Sequence, residues 1–135
     1  MLTHLLDTSA WLAHIFDEPG ASFITALIAD GEMTIGISSL SLLETHARFR
    51  QLGRAAEFGE MRETYRDLFD QVLAVDEVVV LQAIVVRESA STRLPAIDSL
   101  IAATASLHGA ILIHRDAHFL SIPDALLSQQ ILGAD

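Results

Sequence analysis

Leu94 to Phe119 reads LPAIDSLIAATASLHGAILIHRDAHF, and this stretch decides the fold. Leu94-Pro95 interrupts regular structure, because proline lacks a donor and restricts the residue before it. Asp98-Ser99 offers helix-start chemistry, and Leu100 to Leu107 is apolar or small almost all round, as in a helix covered on several sides. Gly109 can end that helix in a left-handed conformation. Ala110 to Ile113 is a short apolar run suited to a strand buried on both faces. His114-Arg115-Asp116 follows where the strand should stop, so Asp98 and Asp116 flank one helix–strand unit.

The same alternation runs outward. Leu2 to Leu6 reads as a strand ending at Asp7. Trp11, Leu12, Ile15 and Phe16 recur at helical spacing, with Thr8 or Ser9 as the expected cap. Pro19-Gly20 breaks the chain before a second helix with Phe23, Ile24, Leu27 and Ile28 on one face and Gly31 past its end. Met33 to Ile37 is a strand, and Ser38 to Ser41 starts the helix that carries Glu44. Leu40, Leu43 and Ala47 form its expected apolar stripe, with Glu44 at the edge and Arg48 as the obvious ion-pair partner at i+4. Arg54 to Phe69 is amphipathic through Phe58, Met61, Tyr65 and Leu68, and Val72 to Val75 is a further strand. Asp76 to Ser89 fits strand or helix on its own composition. Ser121-Ile122-Pro123 suggests a turn, and Leu126 to Asp135 either an edge strand or a segment packed on a partner. Strands alternating with helices predict one α/β domain over residues 1–135, three-layered α/β/α with a central, mostly parallel sheet.

Composition narrows the function. The 135 residues are 51% apolar, enough for a sizeable core. There is no cysteine, which removes disulfides, thiolate metal sites and thiol nucleophiles. There is no lysine either, so all fixed positive charge lies on eight arginines. That excludes a phosphate-binding loop ending in Gly-Lys-Ser/Thr and a phosphotransfer site needing lysine beside its aspartate. MLTHLLDTSA lacks the basic start of a signal peptide, and Val78 to Val86 is too short to span a bilayer, so a cytoplasmic protein without membrane contact is expected. The net charge of −10 argues against a broad, nonspecific nucleic-acid binder. It is compatible with an enzyme whose divalent metals neutralise its own acidic pocket. Arg48, Arg50, Arg54, Arg62 and Arg66 cluster in one region; interleaved acids make a solvated face the plainer reading, and an arm on RNA phosphates the functional one.

Asp7 and Asp116 both fall after strands, at the carboxyl edge where open α/β sheets bind ligands. Asp98 enters from the start of one helix and Glu44 from another. Four carboxylates in one cleft repel unless protonated or neutralised, and hard cations with oxygen ligands, Mg²⁺ or Mn²⁺, answer that repulsion. The same ions suit phosphodiester hydrolysis. Asp7, Asp98 and Asp116 are the expected metal ligands and catalytic acids, with Glu44 a ligand or the residue orienting water. Ser9, His114 and Arg115 are expected to support a ligand or touch substrate. A zinc site from His114, Asp116 and His118 is the competing reading, but no His-Glu-x-x-His pattern or cysteine set supports it; loop or surface histidines are the plainer one.

Asp7-Thr8-Ser9, Glu44, Asp98 opening a small-residue helix, and Arg115-Asp116-Ala117-His118-Phe119 resemble the PIN domain in nearly the whole chain, and are especially similar to the VapC-type toxin ribonucleases. The resemblance decides Asp76 to Ser89 as helix, capped by Asp76. His114 departs from the family's usual threonine or serine two residues before the last acid. The resemblance implies an endoribonuclease dependent on Mg²⁺ or Mn²⁺, RNA as substrate, and products with 5′-phosphate and 3′-hydroxyl ends. It also implies a cognate antitoxin that places a basic residue in the acidic cleft, and a homodimer or toxin–antitoxin hetero-oligomer. A PIN-domain enzyme of RNA maturation and a non-catalytic α/β interaction module are the alternatives.

Overall fold

A computed structural model describes residues 1–133. Its strands are β1 (His4–Leu6), β2 (Ile35–Ser38), β3 (Gln71–Leu73), β4 (Ile111–His114) and β5 (Ser128–Ile131). They form one sheet in the order β3-β2-β1-β4-β5, and every pairing is parallel. The sheet is therefore wholly and not mostly parallel, and the Leu126 to Asp135 tail supplies its edge strand; Ala134 and Asp135 lie outside the described residues. The helices are α1 (Thr8–Ile15), α2 (Ala21–Ala29), α3 (Ser39–Gln51), α4 (Phe58–Leu68), α5 (Glu77–Ser89) and α6 (Ala96–His108).

Alternate side chains of the central strands feed two cores, which is why these strands read as unbroken apolar runs. Leu5 and Leu112 join Val79, Ala83, Val86 and Ile101 of α5 and α6 on one face. Leu6, Ile37 and Ile113 join Ala10, Trp11, Ile24 and Tyr65 of α1, α2 and α4 on the other. Trp11 meets Tyr65 and Phe69 edge-on at 5.7 and 5.5 Å, which locks α1 against α4. Gly36 is where the sheet closes tightest. A Cβ there would lie 2.8 Å from Leu73 Cδ2 and 2.9 Å from the Gln71 carbonyl oxygen.

Four local expectations are corrected. Asp7, not Thr8 or Ser9, caps α1, because its carboxylate can accept from the Ala10 N–H while its own backbone stays extended. α3 buries Ser41, Thr45 and Phe49 instead of Leu40, Leu43 and Ala47, and Leu43 is 66% exposed. Hydropathy missed this because Ser41 faces Thr8 of α1, a contact between polar groups. α4 ends its stripe at Phe69 and leaves Leu68 exposed. Asp98 is not a cap: α6 begins at Ala96 behind Pro95, so Asp98 sits in the first turn with its carboxylate free to face outward. Other elements form where expected with shifted bounds: β2 and β3 run Ile35–Ser38 and Gln71–Leu73 rather than Met33 to Ile37 and Val72 to Val75, and the expected Arg54 to Phe69 helix opens with a 3-10 turn over Ala55–Glu57. Asp76 caps α5 through the Val79 N–H, and Gly109 ends α6 at φ 61°. Among the described residues no helix is long and apolar enough to cross a membrane.

Candidate active site

Asp7 leaves the carboxyl end of β1 and is fixed by its backbone, whose N–H donates to the Ile113 carbonyl at 3.0 Å. Its Oδ1 accepts from Ser9 Oγ at 2.7 Å and from the Ala10 N–H at 3.0 Å. Burial, with the side chain only 4% exposed as a residue, pushes this carboxyl up to about 7. The Ser9 and Ala10 hydrogen bonds oppose that rise, and the charges of Asp98 and Asp116 add to it. Ser9 has a second task. Its Oγ accepts from the Arg115 N–H at 2.9 Å, which ties the start of α1 to the loop after β4.

Asp116 sits in that loop and caps a short 3-10 turn over Ala117–Ser121, where its Oδ1 accepts from the His118 N–H at 2.9 Å. The His118 ring turns back into the cluster. Its Nδ1 lies 3.1 Å from Asp98 Oδ2 and 3.2 Å from Asp116 Oδ1. Asp98 is half-buried, and burial raises its carboxyl; His118 opposes the rise, while Asp116 and Glu44 add to it. One ligand atom from each of Asp98, Asp116 and His118 lies within 4.8 Å of the others.

Glu44 approaches from α3. Thr8 Oγ1 donates to its Oε1 and also lies 3.0 Å from Ser41 Oγ. The expected Glu44–Arg48 pair is replaced by this contact, and Arg48 reaches Gln51 at 3.3 Å. Thr8 was read only as a possible cap. The signal for its role was its place directly after Asp7, since the first residue of a helix points back along the chain toward the strand end.

His114 is fully buried at the end of β4 and does not face the acids. Its Nδ1 accepts from the Asp116 N–H at 3.1 Å, so the proton resides on Nε2, which donates to Gln129 Oε1 at 2.8 Å. Burial lowers its pKa, in keeping with the neutral ring. Gln129 in turn donates to the Phe119 carbonyl at 3.0 Å, and the His114 ring packs on Phe119. His114 thus braces the Asp116 loop from behind. The zinc grouping of His114 with His118 is corrected on the same ground; His118 is exposed in its turn, as expected, with its ring directed at Asp98 and Asp116. Arg115 is exposed and reaches Glu18 at 3.3 Å.

Two pairs of the arginine cluster are internal: Arg54 with Glu57 at 2.8 Å and Arg66 with Glu63 at 3.1 Å. Arg54 also lies over the rings of Phe16 and Phe49. Among the described residues Arg50 and Arg62 form no ion pair, so the region is largely the solvated face of the plainer reading.

The arrangement is a cluster at the carboxyl ends of β1 and β4 that gathers acids from four separate segments. Burial raises the Asp7 and Asp98 carboxyls and neighbouring acids add to it, so ionising them calls for a counter-charge, and a divalent cation fits that need. The carboxylate oxygens fit a hard divalent ion, and the His118 imidazole is the one softer donor of the set.

Comparison with known proteins agrees with the geometry. The family model of the PIN domain matches residues 4–125. No curated protein matches the chain by sequence. A chain of VapBC2 from Rickettsia felis, solved bound to a DNA fragment from its promoter, has the same fold with a TM-score of 0.79 at 18% identity, covering 98% of this chain and 100% of that one. DNA-bound VapBC from Salmonella typhimurium gives the same four values. FitAcB from Neisseria gonorrhoeae follows with a TM-score of 0.72 at 21% identity, covering 94% and 96%. At such identities the structural likeness speaks for the fold, and the family model speaks for descent. The chain belongs to the PIN domain family.

Proposed function

We propose that the chain is a divalent-metal-dependent endoribonuclease of the cytoplasm and the toxin of a toxin–antitoxin pair. One observation carries this: Asp98, Asp116 and His118 converge within 4.8 Å beside the buried carboxyl of Asp7, at the sheet edge where this fold class places ligands. The solved structures that share the fold include VapBC complexes and the FitAcB complex, which supports an antitoxin as partner.

Asp7, Asp98 and Asp116 would hold Mg²⁺ or Mn²⁺ through carboxylate oxygens, with the His118 ring beside them. When bound, such an ion supplies Lewis acidity and a water of lowered pKa. The chain's own residues do the rest. Ser9 holds the Asp7 carboxylate and the Arg115 backbone in one frame, so the acids from β1 and β4 keep a fixed separation. Thr8 orients the Glu44 carboxylate near Asp98, where it would orient the attacking water or join the ligands. Exposed Arg115 lies next to Asp116 and can meet a substrate phosphate. The net charge of −10 repels RNA generally, so the enzyme depends on local fit, and a cationic antitoxin segment complements the same acids.

The test incubates the purified chain, freed of any partner, with total cellular RNA, with and without Mn²⁺ or Mg²⁺, beside Asp98→Asn. Discrete metal-dependent cuts leaving 5′-phosphates and absent in the variant are expected. No cleavage together with no metal binding by calorimetry would sink the reading in favour of a non-catalytic module. Cleavage that survives Asp98→Asn would place the chemistry elsewhere.

A further inference from the structure

Helices α1, α3 and α4 leave a cavity of about 330 Å³ beside the edge strand β3. That volume lies at the small end of the range for sites that take a small molecule. Trp11, Ile37, Leu42, Tyr65 and Phe69 give it an apolar, largely aromatic wall. Several of its polar groups already have partners. Arg66 pairs with Glu63 at 3.1 Å, the Asp70 carboxylate accepts from the Ile35 N–H at 2.8 Å, and the Tyr65 hydroxyl lies 2.7 Å from His14 Nδ1. Trp11 is different. The residue is 1% exposed, and its indole N–H is buried with no hydrogen-bond partner among the described residues. A buried donor left alone is costly, so the position calls for an acceptor.

We propose that this cavity binds a small, uncharged, apolar molecule that presents one hydrogen-bond acceptor, a carbonyl oxygen or a ring nitrogen, to the Trp11 indole N–H. Charge decides the ligand class. Two guanidiniums, Arg62 and Arg66, and two carboxylates, Glu63 and Asp70, stand around the cavity, so their formal charges cancel. An ion entering it would give up its water for no net counter-charge, whereas a neutral body gives up little. The aromatic wall suits a ring. Trp11, Tyr65 and Phe69 already meet edge-on or tilted at 5.4 to 5.7 Å, and a further ring continues that packing. The inference is independent of the nuclease reading, since no acid of the cluster lines this cavity.

The test follows, by NMR of the full isotope-labelled chain, the indole N–H of its single tryptophan. Benzamide, an uncharged ring with one carbonyl, is titrated against that signal. The indole proton should shift downfield to saturation with a Kd on the order of 1 mM, the range for a ligand of about nine non-hydrogen atoms. Benzoate, the same shape with a charge, should bind at least about tenfold more weakly. Leu42→Phe adds bulk to the wall and should weaken benzamide at least about tenfold, with the spectrum still that of a folded chain. If Leu42→Phe fails to fold, Val72→Phe, at a wall position 53% exposed on β3, takes its place. An indole signal unmoved by about 20 mM benzamide overturns the proposal, because the donor then meets only water or a neighbouring ring. So does benzoate bound as tightly as benzamide, or benzamide binding that a folded cavity-filling variant leaves unchanged.

Discussion

Replacing Asp7 with Asn should stabilise the metal-free protein, and increasingly so as pH rises. The Asp7 carboxyl is pushed from the ordinary 3.8 up to about 7 by burial. The native state therefore keeps this proton up to about pH 7, whereas the unfolded chain gives it up near pH 4. Between those values the native state binds more protons, so Asp7 costs stability as pH rises, and the whole cost is in place above pH 7. The rise corresponds to at most about 4 kcal/mol, and relaxation around the charge leaves about 2 kcal/mol as the expected figure. Asn keeps an oxygen where Oδ1 accepts from Ser9 and Ala10, so the cap of α1 survives. The absolute pH profile is not diagnostic, because burial lowers the pKa of His4, His14 and His114, and their effect has the opposite sign. The difference between the two proteins isolates the Asp7 position. Calorimetric melts in chelator should show equal Tm near pH 4 and Asp7→Asn higher by about 6 °C at pH 8, taking about 3 °C per kcal/mol for a chain of this size. Mn²⁺ should then raise the Tm of the natural protein more than that of the variant. A Tm difference that stays flat from pH 5 to 8, or a variant less stable at pH 8, refutes the account of a carboxylate held at a cost.

Thr8→Val removes the hydroxyl that holds Glu44 and pairs buried Ser41; metal-dependent RNA cleavage should fall about tenfold, with a cost of about 1 kcal/mol by urea titration, which Ser41→Ala in the same background should relieve. Gly36→Ala forces a methyl against Leu73 and the Gln71 carbonyl and should cost about 1–3 kcal/mol by urea titration. Thr45 is fully buried and its hydroxyl has no partner among the described residues, so Thr45→Val should stabilise the chain by about 1 kcal/mol in the same titration. His114→Ala strips partners from the Asp116 N–H and from Gln129 and should cost about 2–3 kcal/mol; His114→Thr should recover cleavage better than Ala if a polar group behind Asp116 is what matters.

The acids of the cluster were legible because each follows a local rule. Asp7 and Asp116 end apolar runs short enough to be buried parallel strands, and in a parallel sheet all such ends lie along one edge. Asp98 was legible as a carboxylate at a helix start, although Pro95 moved that start two residues earlier than the chemistry suggested. What stayed hidden depends on contacts between distant residues. Ser41 and Thr45 are buried by what packs on them, so hydropathy assigned the wrong face of α3. His118 faces Asp98 across a gap of 20 positions, and no periodicity encodes that. His114 was visible as an anomaly, but its partner Gln129 lies on the edge strand, whose existence was itself open.

The position of β1 at the centre of the sheet also governs when the molecule becomes whole during its synthesis. β1 is made first, yet its neighbour β4 comes much later: His4 pairs with Ile111, 107 positions on. At about 5–20 residues per second, a ribosome needs roughly 5–20 s to cover that gap. Asp98 is made only near the end of that gap and Asp116 after it, and the long loop must close before the central pairing forms. A nascent chain short of β4 therefore carries acids of the cluster without their assembly. Whatever chemistry these acids perform is silent until β4 pairs beside β1, so the central pairing, and not the making of the first acid, sets when the site exists.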